Sequence, residues 1–408
     1  MIPRGTNRIL TINSGSSSVK LALYEMSEQE NLDFTADVTG IGQSLGRLTA
    51  TDSRGKKLAD VQSRFPTQAE ALHAALQLTE KPGFSRQICA ICHRVVHGGA
   101  WYDAPELITP QLIAELRELV PVDPHHLPQA IDDIETLWRK YPDLPQIACF
   151  DTAFHRTMPR VAQLCPIPTR YFDKGILRYG VHGSSYEFIV SELRVLDGGL
   201  ASGRLVVAHL GSGASMAAIK GGHSLDTTMG FTPTSGLLMS ARSGDIDPGV
   251  LLYLLLVENM RPENLGILLN TQAGLLDVSG TSADMQELLA EEETNSRPAD
   301  AIAMFCYRAK KYLASFAAVL GGLDILVFTA GVCEHAPSIR ERIRSGLELF
   351  GIQIDRERDQ QNASVISSDD CRVKVRVIKT NENLMLARHA LAVLKRNPEL
   401  QRSHSYGY

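Results

Sequence analysis

Two stretches of the chain carry the same pattern of apolar and polar positions. In the first, Ile9-Leu10-Thr11-Ile12 runs into the polar Asn13-Ser14-Gly15-Ser16-Ser17-Ser18 and resumes as Val19-Lys20-Leu21-Ala22-Leu23. In the second, Val206-Val207-Ala208-His209-Leu210 meets Gly211-Ser212-Gly213 and resumes as Ala214-Ser215-Met216-Ala217-Ala218-Ile219. Each predicts a β-hairpin with a polar tip, because apolar runs of this length fit strands and glycine supplies the backbone freedom of a tight turn. Such tips present backbone N–H groups and hydroxyls to an anion, and Lys20 adds positive charge. Two of them predict a phosphate held between two related domains.

The rest of the pattern extends this reading. Short strands are expected at Ile9–Ile12, Val19–Tyr24, Phe34–Val38 and Arg47–Thr51, then a helix over Thr67–Leu78. A buried strand over Gln87–Val96 ends at His97-Gly98-Gly99. Helices at Leu112–Leu119 and Gln129–Tyr141 lead to a strand at Gln146–Phe150 that stops at Asp151. The second half repeats this grammar: strands at Leu205–His209 and Met216–Lys220, a loop-rich stretch from Gly221 to Asp247, helices at Gly249–Glu258 and Ala299–Leu320, then strand Ile325–Thr329 and helix Pro337–Leu349. Strand Val373–Ile378 and helix Glu382–Lys395 close the chain. Strand-rich openings followed by alternation predict an α/β protein with largely parallel sheets covered by helices, and a doubled domain of this kind leaves a cleft between its halves.

Composition narrows the function classes. A chain of 408 residues predicts two or three domains, and the repeated hairpin favours two. A net charge of −5 argues against nucleic-acid binding. The longest apolar run, Val250–Val257, stops at Glu258, so it is too short to span a membrane and reads as a buried helix. Seven scattered cysteines, and an N-terminus without a signal-peptide core, point to the cytoplasm. Cys89-Ala90-Ile91-Cys92 lies in a strand pattern, which would aim its two thiols at opposite faces and argues against a redox or zinc role. The acidic stretch Glu287–Glu293 reads as solvated surface.

Phosphoryl transfer needs anion cradles, a metal and cations facing the moving group. A third candidate cradle follows Ile325–Phe328, where Thr329-Ala330-Gly331-Val332-Cys333-Glu334-His335 precedes a helix start at Pro337 or Ser338. Neither G-x-x-x-x-G-K-[ST] nor G-x-G-x-x-G occurs, so phosphates must be held in another way. Charged residues beside glycines come next: Arg94 before His97-Gly98-Gly99, His182 in Gly180-Val181-His182-Gly183, and Arg242 in Ala241-Arg242-Ser243-Gly244. Each alone fits a structural residue; their joint occurrence carries the argument.

In order and wording these segments resemble the acetate kinase family, within the superfamily that includes sugar kinases, heat-shock chaperones and actin. The likeness runs from about Arg8 to Lys395 through Thr11–Lys20, His93–Gly99, Phe150–Pro159, Arg178–Ser185, His209–Gly213, Thr228–Thr232, Arg242–Pro248, Phe328–Glu334 and Thr380-Asn381-Glu382. The resemblance implies a duplicated actin-like ATPase, or ribonuclease H-like, α/β fold. Residues 1–153 with about 386–408 would form an N-terminal domain, and 154–385 a C-terminal domain bearing the nucleotide site and a dimer interface. It further implies that Asn13 and Glu382 hold Mg²⁺, with Mn²⁺ as an alternative, and that Lys20, Ser16 and Ser18 lie near the phosphates of ATP. Arg94, Val96, Val181 and Pro233 would receive a small carboxylate, and Asp151, His182 and Arg242 would be catalytic. His209, Leu210, Gly211, Ser212 and Gly213, with Asp284, Met285 and Gln286 and with Gly331, Val332, Cys333, Glu334 and His335, would line the nucleotide site. The implied reaction is ATP plus acetate giving ADP and acetyl phosphate, reversibly, in a cytoplasmic homodimer. Physical chemistry fits these roles: a carboxylate nucleophile with a pKa of about 4 to 5 needs no strong base. Arginine alone offers the bidentate fork, and losing one such contact costs on the order of 3 kcal/mol.

The chain departs from the family pattern at several positions. Ser212 stands where Asn is usual, Gln286 where Arg is usual, and Gly331-Val332-Cys333-Glu334-His335 where Gly-Ile-Gly-Glu-Asn is usual. These changes leave another nucleotide or pyrophosphate open as donor, and an inactive nucleotide-binding sensor as an alternative of a different class. Val181 replaces a Phe and Tyr186 a His near the acyl pocket, and Val122-Asp123-Pro124-His125 replaces Leu-His-Asn-Pro. Loss of the Phe bulk predicts tolerance of propionate, unless Tyr186 refills the space, and leaves a propionate- or butyrate-preferring kinase as an alternative.

Overall fold

In the computed structural model of the chain, which describes residues 7–15, 17–79, 88–398 and 400, both polar-tipped patterns form antiparallel hairpins. The chain divides into two units, Met1–Ala153 with Asn381–Tyr408, and Phe154–Thr380.

The first unit holds strands β1 (Asn7–Ser14), β2 (Ser18–Met26), β3 (Glu30–Thr39), β4 (Gly46–Asp52), β5 (Lys57–Ser63), β6 (Ile88–Val95), β7 (Glu106–Leu107) and β8 (Gln146–Phe150). Their order in one sheet is β5-β4-β3-β2-β1-β6-β8-β7. The second unit holds β9 (Arg204–Leu210), β10 (Ala214–Lys220), β11 (His223–Thr227), β12 (Ile325–Thr329) and β13 (Lys374–Val377), ordered β11-β10-β9-β12-β13. The sheets share one plan. An antiparallel meander (β3-β2-β1, and β11-β10-β9) is extended on its far side by two parallel strands (β6 and β8, β12 and β13).

The expectation of largely parallel sheets is therefore corrected. Strands joined by turns of a few residues must pair antiparallel, and only the pairs bridged by helical crossovers are parallel. Strand β11 also overturns the loop expected from Gly221 onward. Gly221 and Gly222, at φ 62° and 82°, form a two-residue turn that pairs Lys220 with His223.

Period-two alternation sends the residues of β1 to two faces. Leu10 and Ile12 pack with Leu21, Leu23 and Phe34 beneath helix Gln68–Thr79, through Ala71, Leu72, Ala75 and Leu76. Ile9, Ala22 and Tyr24 face helix Glu382–Arg396, through Leu386, Ala387, Ala390, Val393 and Leu394. That spacing is one stripe of a helix, and truncating one such leucine to alanine costs about 2 to 5 kcal/mol. In the second unit the long helix Ser296–Leu320 packs on β9 and β10, opened by an Asn295 cap and closed by Gly321 in the left-handed region.

Two further expectations change. Helix Pro248–Leu256 forms under an Asp247 cap, yet none of its residues is buried; Leu252, Leu256 and Val257 are 56%, 74% and 58% exposed. Hydrophobicity all round a helix announces burial without naming what does the burying. A bulge between Arg8↔Ile88 and Ile9↔Ala90 also places Cys89 beside the same cluster as Cys92, not on the opposite face. Both thiols are free, and burial pushes that of Cys89 up to about 11. Among the described residues no helix is long and apolar enough to cross a membrane.

Candidate active site

In the first unit, the ends of β1, β6 and β8 and the start of the last helix place four of the expected residues in one chain of contacts. Arg94, next to last in β6, donates from Nε to Asp151 Oδ2 at 2.8 Å and from a terminal nitrogen to the same oxygen. Its other terminal nitrogen donates to Asn13 Oδ1 at 3.1 Å, and Asn13 Nδ2 donates to Glu382 Oε2 at 2.8 Å. Asp151 is fully buried, one residue beyond β8, with its backbone N–H on Val95 O. Burial opposes the charge of Arg94, but the Asp151 and Glu382 carboxylates hold it more firmly protonated than a free arginine. His93, the neighbour of Arg94 on β6, bonds Gln146 at 2.7 Å, and burial pushes its pKa down to about 4, so it is a neutral structural histidine.

The tip of the β1–β2 hairpin is braced from two helices. Gln68 donates to both Gly15 O and Ser18 O at 3.1 Å, and Ser14 donates to Asp133 Oδ2 at 2.5 Å. Burial raises the Asp133 carboxyl to about 7. Lys20 is exposed on β2, opposite Asn13 in register and beside Asp37 on β3. Burial raises the Asp37 carboxyl and the Lys20 charge offsets part of that. Val96 is buried just past β6. Ser16 lies outside the described residues.

In the second unit, His182 sits at φ 64°, immediately before helix Gly183–Asp197. A non-glycine residue there is costly and is a common mark of a functional position. Its Nδ1 bonds Ser215 Oγ at 2.7 Å, and its ring stacks on His209 with centroids 4.2 Å apart. His209 Nδ1 bonds Ser185 Oγ, which also bonds Thr380 Oγ1, both at 2.8 Å. A Cβ on Gly213 would come within 3.3 Å of His182 Nε2, so the hairpin tip is glycine where the imidazole approaches it. Val181 is buried, and its carbonyl bonds His155 Nε2 at 3.1 Å.

Arg242 lies on a loop templated by backbone contacts. Met239 O, Ala241 O and Ser240 O accept from Leu275, Ala273 and Leu276, and Ser240 N–H donates to Ser212 O. Gly274, at φ 71°, sits where a Cβ would meet Met239 O at 2.3 Å. The Arg242 side chain donates to Pro233 O at 3.4 Å, which brings those two expected residues together. The second and third cradles also meet: a Cβ on Gly211 would lie 3.5 Å from Ala330 Cβ.

Other expected nucleotide residues are engaged structurally. Asp284 caps helix Met285–Glu291 by accepting from Gln286 and Glu287 N–H, Met285 is buried, and Leu210 is buried in β9. Glu334 Oε1 accepts from Ala330 N–H at 2.8 Å and Thr380 N–H at 3.3 Å, fastening the turn before the five-residue helix Gly331–His335. Cys333 in that helix is fully buried, and desolvation pushes its thiol up. Val332 and His335 bracket this pair. Ser215, Ser185, Gln68, Asp133 and Gly274 were not singled out from the sequence. Ser215 is a lone polar residue in the apolar run Ala214–Ile219, the one signal that could flag it.

The chain matches the Acetokinase family over residues 8–388. It is 41% identical to the acetate kinase of Methylocella silvestris over 396 residues, covering 95% of this chain and 98% of that protein. Among solved structures it resembles the acetate kinase of Porphyromonas gingivalis (34% identity, TM-score 0.84, 95% and 100% of the two chains). It also resembles a propionate kinase from Francisella tularensis (32% identity, TM-score 0.86, 94% and 98%). A match over this span establishes the actin-like fold and the kinase class; the chain belongs to the Acetokinase family.

Proposed function

We propose that the protein transfers the γ-phosphoryl group of ATP to acetate, reversibly, giving acetyl phosphate and ADP. The observation that carries this reading is the Asp151–Arg94–Asn13–Glu382 chain, a partly buried arginine held charged at strand ends in a member of this family. Arg94 offers the planar cation that a planar carboxylate fits. Acetate is already ionised near neutral pH, so Asp151 has no proton to remove and serves by orienting Arg94. Arg242 and His182 face the charge that spreads over the phosphoryl oxygens during transfer. In the first unit the hairpin tip with Lys20 and Ser18, and in the second unit the tip with Gly211, Ser212 and Gly213, each offer donors to a phosphate. Asp284–Gln286 and Gly331–His335 shape the nucleotide site through their backbone.

Among the described residues no cluster of three metal-ligating side chains occurs. Mg²⁺ suits what is present: it takes one or two protein oxygens and fills its shell with phosphate and water, and Glu382 and Asn13 supply a carboxylate and an amide oxygen. When bound there, Mg²⁺ or Mn²⁺ would neutralise charge on the nucleotide phosphates. The exposed apolar helix Pro248–Leu256 supports a homodimer formed through the second unit. Seven free cysteines support a cytoplasmic location.

Propionate as acceptor is a second reading that rests on the small Val181 alone; the relatives named acetate kinase at 41% and 42% identity support acetate. An inactive sensor is not favoured, because the Arg94 network is intact. Trapping acyl phosphate as hydroxamate, with ATP, Mg²⁺ and acetate or propionate, tests the reading. A folded protein that yields none with ATP, another nucleotide or pyrophosphate refutes it.

A further inference from the structure

Tyr186 stands where the family pattern suggested a residue of the acyl pocket, and the structure gives it a different neighbour. It is fully buried on helix Gly183–Asp197, its ring stacked on Phe154 at 5.9 Å and edge-on to His155 at 5.4 Å. Its Oη lies 2.5 Å from Ser215 Oγ, the same oxygen that lies 2.7 Å from His182 Nδ1. We infer that Tyr186, acting through Ser215, is a positioning residue that fixes His182 as the tautomer with its proton on Nε2. This rests on the kinase reading for its consequence, but not for its geometry.

The argument follows the donors. A phenol is a stronger acid than an aliphatic alcohol, so in a pair of the two the phenol donates and the alcohol oxygen accepts. With Tyr186 O–H directed at Ser215 Oγ, the serine hydrogen turns to its other neighbour, His182 Nδ1, which must then accept. A neutral imidazole accepting at Nδ1 carries its hydrogen on Nε2. Nε2 is the atom that faces Gly213 at the tip of the β9–β10 hairpin, and the stack on His209 fixes the ring plane. An Nε2–H donates to a phosphoryl oxygen, whereas the other tautomer would aim a lone pair at an anion. The edge of the ring held by Ser215 thus decides what the Nε2 edge can do, as outer partners do for other working histidines.

The test combines a spectrum with rates. In protein labelled with ¹⁵N-histidine, the ring nitrogens of His182 are expected to report Nε2–H in the unmodified chain and a mixture of tautomers in Tyr186→Phe. In the hydroxamate assay, Tyr186→Phe and Ser215→Ala should each lower kcat by about tenfold to a hundredfold, with KM for acetate and ATP within about twofold. The double variant should be no worse than the poorer single one, and Ser215→Thr should recover most of what Ser215→Ala loses. An Nδ1–H spectrum, an unchanged kcat in Tyr186→Phe, or a kcat loss that tracks KM and melting temperature overturns the inference. If the unmodified protein makes no acyl phosphate the kinase reading falls, and the tautomer spectrum still decides this one.

Discussion

Asp151 takes two N–H groups of Arg94 on one carboxylate oxygen, across the ends of two neighbouring parallel strands. The pair is stiff because Asp151 is fully buried and its own N–H is fixed to Val95 O. Arg94→Lys keeps the charge and loses the fork, and Asp151→Asn keeps the shape and loses the charge. Each should lower kcat/KM for acetate by about a hundredfold, on the order of 3 kcal/mol, with strong non-additivity in the double variant. Losses below about threefold in both single variants would separate this pair from the chemistry.

Acceptor selectivity should turn on Val181. One methylene in an apolar pocket is worth about 1 to 3 kcal/mol, or roughly 10- to 200-fold. Propionate is expected to be phosphorylated within about tenfold of the acetate rate, and Val181→Phe to depress propionate selectively. Initial rates with acetate, propionate and butyrate check this; strict acetate use by the unmodified protein would rule it out.

Gly274 governs the Arg242 loop by occupying space that no side chain can share. Alanine there would carry φ 71° and drive its Cβ to 2.3 Å from Met239 O, so the loop must move. Gly274→Ala should lower the melting temperature by a few degrees, from strain of order 1 to 3 kcal/mol, and lower kcat by at least tenfold. A variant that retains full kcat would show that the loop can move without disturbing Arg242.

The Asp133 carboxyl is raised from 3.8 to about 7 by burial, despite the hydrogen bond from Ser14. A carboxyl raised on folding favours the protonated fold, so its contribution is complete below about pH 4 and is lost as pH climbs through 7. Asp133→Asn, which still accepts from Ser14, should be more stable than the parent at pH 8 by one to a few kcal/mol, and equal to it near pH 4. Urea unfolding at both values decides it; equal stabilities at pH 8 would mean the site is wetter than its burial suggests.

The exposed face of helix Pro248–Leu256 should be the seat of self-association. Leu252→Glu with Leu256→Glu is expected to convert a dimer to a monomer in light scattering coupled to size exclusion, leaving the helix under its Asp247 cap. A dimer that survives both charges lies elsewhere on the surface.

The elements that could be read from the sequence are those whose pattern is self-sufficient. The hairpins, the strand ending at Asp151 and the long helix to Leu320 each carry enough apolar period to declare themselves. Strand β5 does not, since its residues are mostly exposed, and β11 is hidden because the Gly221-Gly222 turn reads like the start of a loop. Continuous apolar runs ordinarily mark parallel strands, but β9 and β10 are such runs and pair antiparallel, so the pattern misstates the sheet direction here. At the site, charged residues beside glycines were visible, but their supports were not. Ser215, Asp133 and Gln68 are ordinary polar residues until the fold sets them against His182, Ser14 and the first hairpin tip.

The last helix gives the first unit an unusual order of birth. Leu386, Ala387, Ala390, Val393 and Leu394 close one face of a sheet whose strands are all synthesised before residue 151, and Glu382 belongs to the same helix. On the ribosome that sheet must wait with one apolar face unpaired while the next two hundred or so residues emerge, so the later unit can be complete before the earlier one. A nascent chain stalled before residue 382 would thus be sticky and inactive for a single reason: the segment that seals the core also brings the carboxylate that Asn13 holds.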